Sequence, residues 1–269
     1  MHMKRAVAMA VPTLILGATW TLVGCPTNKG NSAERVSQAR SSLAEREHKL
    51  IAYSFSGTTT DLASNQSLSY QFTYRSPNKM RGELLGEQPH TFVFDGKQLS
   101  ELAPLDKKVL RYDLSALPRA KADVFLHQIF EPFAPEGFRT PLLPTGPSVT
   151  AKDVEDAHGK AQLELGADLE ESGEHFQFAF DFVPGSMDLV RKKVTGPTGV
   201  VITEVTVQHC DAALGLCFPQ EITEQRDGKP SAKTVLTAVQ INPAVAEDLF
   251  TLATPAGFTE EQKHLATSQ

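Results

Sequence analysis

The chain has 269 residues, with 26 basic and 32 acidic side chains and three cysteines. A formal charge of -6 argues against a nucleic-acid binder, whose affinity comes mainly from basic groups neutralising phosphates. With 41% hydrophobic residues, the length suits one large β domain or two small ones around a real core.

Lys4 and Arg5 precede an uncharged run from Ala6 to Val23, weighted by Leu14, Ile15, Leu16, Trp20, Leu22 and Val23. This is the pattern of a signal peptide over residues 1–24, which is set aside from fold reasoning. The run ends in Leu22-Val23-Gly24-Cys25, which resembles the bacterial lipobox. Small Gly24 admits a peptidase, and Cys25 is nucleophilic enough to take a thioether-linked lipid, so Cys25 is the expected attachment residue. A transmembrane anchor is the alternative, since the run is near the lower limit for spanning a bilayer. Pro26, Thr27 and Asn28 follow it, however, rather than a basic stop-transfer cluster. Several acyl chains on one residue, palmitate among them, anchor firmly where a single chain does not. Asp after the cysteine retains lipoproteins at the inner membrane of enteric bacteria. By that analogy Pro26 points to the periplasmic face of the outer membrane. Cleavage removes Lys4 and Arg5, leaving 24 basic residues against 32 acidic ones and a formal charge of -8.

Residues 25–31 read as a tether. Asn31 or Ser32 caps a predicted helix to about Lys49, with Val36, Ala39, Leu43 and Leu50 on one stripe and Arg35, Gln38, Arg40, Glu45 and Glu47 facing elsewhere. From Ala52 the period changes to two. Tyr53, Phe55 and Gly57 alternate with serines and threonine, then Leu68, Tyr70, Phe72 and Tyr74 do the same, then Met80, Gly82 and Leu84. Phe92 and Phe94 lead into Asp95-Gly96, a strong hairpin signal. Leu99–Ala103 and Val109–Asp113 complete an antiparallel meander of about six strands, its connections too short for helical crossovers.

Leu117–Phe138 reads as one or two short helices, and Pro141–Pro147 as a Pro-rich insertion within one sheet. Six more strands follow: Ala161–Leu165, Phe176–Val183, Leu189–Thr195, Val200–His209, Phe218–Gln225 and Ala232–Ile241, with Asp227-Gly228 as a second hairpin turn. Pro243–Leu249 reads as a helical turn before a closing strand, Phe250-Thr251-Leu252. The sum is a mainly β fold: a curled antiparallel sheet of ten to twelve strands, with helices across its concave face. One domain over 32–258 with a C-terminal tail over 259–269 is expected.

Catalytic signals are scarce, and no enzyme is expected. There is no Gly-x-Ser-x-Gly, His-Glu-x-x-His, phosphate-binding Gly-rich loop or Cys-x-x-Cys. His90, His127, His158, His175 and His209 fall in different elements and read as ordinary surface or strand histidines, so neither metal nor cofactor is expected. Glu170, Glu171 and Glu174 read as a solvated hairpin tip at Gly173. Cys210 and Cys217, the one remaining pair of an exported chain, read as a disulfide stapling a hairpin. A redox-active pair is the alternative, but nothing basic flanks the thiols to lower their pKa. Phe176, Phe178, Phe180 and Phe182 share a face, either as packed core or as the wall of an unfilled apolar hollow suited to a lipid chain.

Three places resemble the LolA/LolB superfamily of periplasmic lipoprotein carriers and outer-membrane receptors. They are Arg75-Ser76-Pro77-Asn78-Lys79-Met80-Arg81; Phe92-Val93-Phe94-Asp95-Gly96-Lys97-Gln98-Leu99 with the turn at Asp106-Lys107-Lys108-Val109; and Ile241-Asn242-Pro243 with Asp248-Leu249-Phe250, Leu252 and Pro255-Ala256-Gly257-Phe258. The resemblance implies an open half-barrel with a helical lid over an apolar cavity for acyl chains. The family's carrier is soluble and its receptor is itself a lipoprotein, so Cys25 tilts the reading toward the receptor. Where the family has Trp or Tyr after the hairpin leucine, this chain has Ser100-Glu101.

The expectation is therefore a membrane-anchored, monomeric periplasmic protein whose partner is lipid or an acylated lipoprotein. The candidate cavity residues are Phe55, Phe72, Tyr74, Met80, Leu84, Phe92, Phe94 and Tyr112, with Phe125, Ile129 and Phe130 on the lid. Strand parity alone leaves open which face is inward. The alternatives are an envelope-stress sensor or scaffold binding a protein partner, and a hydrolase, for which no nucleophile and base assemble.

Overall fold

Fourteen strands and two α-helices account for most of the chain in a computed structural model that describes residues 29–130, 132–133, 137–138, 149–171 and 173–263. Cys25 and Pro141–Pro147 lie outside the described residues. Helix α1 is Lys29–Lys49, reaching into the stretch expected as tether. The meander is β1 (Ala52–Asp61), β2 (Ser67–Arg75), β3 (Lys79–Leu85), β4 (His90–Phe94), β5 (Gln98–Ala103) and β6 (Lys108–Asp113). Helix α2 follows as one segment, Arg119–Phe130. The second half is β7 (Val149–Glu155), β8 (Ala161–Glu171), β9 (Glu174–Phe182), β10 (Leu189–Gly196), β11 (Gly199–Asp211), β12 (Leu216–Arg226) and β13 (Lys229–Ile241). A short 3-10 turn, Glu247–Phe250, precedes β14 (Thr259–Lys263).

All fourteen strands form one open sheet in the order β14-β6-β5-β4-β3-β2-β1-β13-β12-β11-β10-β9-β8-β7. Neighbours are antiparallel except β14, which runs parallel to β6. The curled antiparallel sheet expected from the alternating pattern is the one found, with more strands than the ten to twelve counted. Two elements were missed and one moved. Strand β7 carries Lys152, Asp153 and Glu155, and β14 reads Thr-Glu-Glu-Gln-Lys, so neither shows an apolar period. The expected closing strand at Phe250-Thr251-Leu252 is instead the end of the 3-10 turn and the extended chain after it. Residues 259–263, expected within a tail, are hydrogen-bonded to the edge of the sheet.

The two hairpin signals act as the chemistry requires. At Asp227-Gly228 both residues take positive φ, 50° and 75°, the backbone of a tight turn matched to strand twist. At Asp95-Gly96 the Asp95 carboxylate accepts from the backbone N–H of Lys97 and Gln98, both at 2.8 Å.

Register settles which face is inward. Phe55 lies opposite Phe72 on β2, Phe72 opposite Gly82 on β3, and Gly82 opposite Phe92 on β4. In the other direction Gly57 pairs with Leu236 and Thr59 with Thr234; Thr234 pairs with Ile222, and the same parity continues through Val205 and Thr203 to Lys192 and Phe180. Phe55 and Phe180 therefore share the concave face. Both helices lie on it. Helix α2 packs with the aromatics of β1–β4, and α1 places Ala39 and Leu43 against Ala151, Leu165, Phe180 and Leu189 of β7–β10.

On the convex face the chain after β13 forms a strap. Asn242 starts it, at φ 50°, with its carboxamide accepting from Ile51 N and Ala52 N and donating to Lys49 O. Arg75 Nη1 donates to Val245 O, Arg81 Nη1 to Leu249 O at 3.0 Å, and Arg111 Nη2 to Leu252 O at 2.8 Å. Arg75 and Lys79 also pair with Glu247. Two of the three family-like segments are thus a grip and the strap it holds.

Candidate functional site

All eleven apolar residues singled out in the sequence fall in one cluster on the concave face. They divide by depth. Phe55, Phe72, Met80, Phe94 and Phe130 are buried, at 1–3% exposure, and form the floor. Tyr74, Leu84, Phe92, Tyr112, Phe125 and Ile129 are half-buried and form a rim. The sheet places the strand residues by parity, and α2 brings Phe125, Ile129 and Phe130 over them. Tyr112 and Phe125 meet with ring centroids 5.8 Å apart, Phe72 and Phe130 at 6.0 Å.

The hollow is occupied by the protein's own rings. A Cβ on Gly82 would lie 2.9 Å from the Phe133 ring, so that phenylalanine is seated on the one small residue of its row. Phe133 also meets Phe92 at 5.7 Å and Tyr70 edge-on at 6.0 Å. Phe138 stacks among Tyr53, Phe55 and Phe218, with centroids 5.1, 4.7 and 5.5 Å away. Phe133 and Phe138, like Tyr53, Tyr70, Leu99 and Phe218, were not among the sequence candidates. The two tyrosines carry the same two-residue period as their neighbours and could have been taken with them. Phe133 and Phe138 sit among Pro132, Pro135 and Gly137, where no period exists to read. Burial pushes the Tyr70 phenol up to about 12, with a hydrogen bond from Thr59 opposing it.

Arg46 joins the two halves of this face. It is 5% exposed, and its Nη2 donates to Gly137 O at 2.8 Å and to Cys217 O at 3.3 Å. Its Nη1 donates to Phe138 O at 3.4 Å, and its Nε lies 3.3 Å from the buried Asp188 carboxylate. The guanidinium also sits 5.4 Å from the Phe218 ring centre. Burial holds Arg46 below its ordinary pKa, with Asp188 pulling it back up. Sequence spacing held the clue: Arg46 follows Leu43 by three and precedes Leu50 by four, on the helix's apolar stripe.

The rim carries a polar corner. Glu101 faces inward between Phe92 and Leu110, near His90 and Tyr112. Burial, and then the Glu101 carboxylate, raise the Tyr112 phenol above its ordinary value. Cys210 and Cys217 stand directly opposite each other on β11 and β12 and form the expected disulfide.

No family model and no curated protein matches the chain. Solved structures do. A DUF1329 family protein from Desulfovibrio piger superposes with a TM-score of 0.52 at 8% identity, over 80% of this chain and 97% of that one. A domain provisionally named as an outer membrane lipoprotein-sorting protein, from Vibrio parahaemolyticus, gives 0.50 at 6% identity, over 83% and 97%. A LolA superfamily protein from Nitrosomonas europaea gives 0.48 at 11% identity, over 80% and 97%. At such identities the likeness is one of fold. The chain has the LolA/LolB-like fold expected from its sequence.

Proposed function

We propose that this chain is a lipid-anchored protein of the bacterial envelope that holds acyl chains, free or on a lipoprotein, between its concave aromatic face and helix α2. The observation that supports this is the grading of one apolar face: a sealed, mainly aromatic floor, and a half-exposed rim of Leu84, Phe92 and Tyr112 on the sheet with Phe125 and Ile129 of a short helix over it. A twelve-residue helix has little stability of its own, so α2 keeps its place through what it buries. The rings that fill the hollow are then the occupants an acyl chain replaces.

The magnitudes allow the exchange. A palmitoyl chain brings about fourteen methylenes, roughly 11 kcal/mol of gross burial at about 0.8 kcal/mol each. Uncovering Leu126, Phe130 and Phe133 costs roughly 5–9 kcal/mol at about 1.5–3 kcal/mol per side chain. Cys25 carries the anchor in this reading, and the outer membrane is the site of attachment.

The test is direct. Protein purified after native expression carries lipid visible by native mass spectrometry, and lipid-free protein binds a fluorescent fatty acid. Ile129→Glu, which sets a charge on the rim, weakens that binding about tenfold or more. Repeated recovery of clean protein with no affinity for the probe overturns the proposal.

A further inference from the structure

Four withdrawn carboxylates of the sheet are matched by lysine or arginine. Glu83 pairs with Arg81, Glu164 with Lys152, Asp181 with Arg191 and Glu221 with Lys233, the four acids having side-chain exposures of 29, 20, 6 and 28%. Glu101 is as withdrawn from water, at 20%. Its partners are His90, whose Nε2 is 3.8 Å away, and the Tyr112 hydroxyl, which donates at 3.5 Å. Among the described residues neither lysine nor arginine pairs with it. A half-desolvated carboxylate with only a histidine and a phenol beside it retains unsatisfied demand for positive charge.

Its surroundings suit such a charge. His90 and Phe92 stack on one side, with centroids 6.1 Å apart, and Tyr112 with Phe125 form the other wall. Aromatic faces attract cations most where water is partly excluded, and an ammonium N–H donating to a carboxylate makes a charge-assisted bond stronger than a neutral one. The walls are also part of the apolar rim, which continues without interruption onto α2. A ligand held here has its cation at Glu101 and its greasy part along the same face.

We infer that this corner of the concave face, where β4, β5 and β6 meet α2, is the headgroup subsite for an amphiphile bearing a primary ammonium, as in phosphatidylethanolamine. The assignment rests on the lipid-binding reading above and specifies which lipids it admits. A primary ammonium has N–H hydrogens to donate to the Glu101 carboxylate. A trimethylammonium has none to give, and an anionic headgroup is repelled.

The test uses the full chain loaded with a fluorescent fatty acid, displaced by phosphatidylethanolamine, phosphatidylcholine and phosphatidylglycerol of one short chain length. The ethanolamine lipid displaces the probe at about tenfold lower concentration than the glycerol lipid, and ahead of the choline lipid. Glu101→Gln brings the ethanolamine-to-glycerol ratio to within about twofold, and Glu101→Lys inverts it. Thermal melts confirm that each variant is folded, and the ratio compares two ligands on one preparation. A ratio unchanged in Glu101→Gln, or a wild-type protein that ranks the three lipids equally, overturns the headgroup assignment while leaving acyl binding intact. A probe that never binds removes the carrier reading, and this assignment with it.

Discussion

Replacing Arg46 with methionine tests how the two halves of the concave face are joined. Methionine fills a similar volume but leaves the Asp188 carboxylate, itself 2% exposed, without its guanidinium, and strands the carbonyls of Gly137, Phe138 and Cys217. Removing one partner of a buried ion pair typically costs about 3–5 kcal/mol, because the remaining charge stays desolvated. For a domain of this size that is roughly a 10 °C fall in Tm, at about 2–4 °C per kcal/mol. Urea unfolding followed by circular dichroism reads the loss directly. The double variant Arg46→Met, Asp188→Leu separates charge from packing: with both charges gone, it recovers about half of the loss, the carbonyls accounting for the rest. If single and double variants unfold together, or the single loses less than about 1 kcal/mol, the guanidinium is not the joint described here.

Two other outcomes are expected. Cys210→Ser with Cys217→Ser, or reduction of the wild type, lowers stability by about 2.5 kcal/mol for so short a loop, read as a shift in urea midpoint; an unchanged midpoint refutes the staple. Burial, and then the neighbouring Glu164, raise the Asp181 carboxyl on folding, with Arg191 opposing. A carboxyl raised in the native state favours folding when protonated, so its contribution is present below the ordinary value of 3.8 and is lost as pH rises through the higher folded value. Asp181→Asn is therefore more stable than wild type at pH 7 and loses that advantage below about pH 4; a pH-independent difference between the two counts against the argument.

What could be read in the sequence was whatever left a period. Tyr53, Phe55 and Gly57 against serines, or Phe92 and Phe94 before Asp95-Gly96, state both strand and face, and strand parity carried the eight strand candidates to one side, where α2 adds Phe125, Ile129 and Phe130. Elements held by backbone bonds or by isolated charges left no such mark. Strand β14 contributes five polar residues whose order means nothing until β6 is beside them. Phe133 and Phe138 take their places from Gly82 and Phe218, partners about 50 and 80 residues away along the chain. Glu101 could be seen to depart from the family pattern, but not that it faced inward without a lysine or arginine. Arg46 was on the apolar stripe of its helix, and a charge there is a question that only the tertiary partners answer.

The arginine-gripped strap bears on how this protein avoids its own kind. By carrying β14 to the outer side of β6, it covers a row of amide and carbonyl groups that could otherwise recruit a second molecule. The strand that then faces solvent is dense with Glu260, Glu261 and Lys263, poor material for growth into a fibre. A proteolytic cut anywhere between Asn242 and Thr259 frees that cover. Clipped protein is therefore expected to aggregate while the untouched chain stays dispersed.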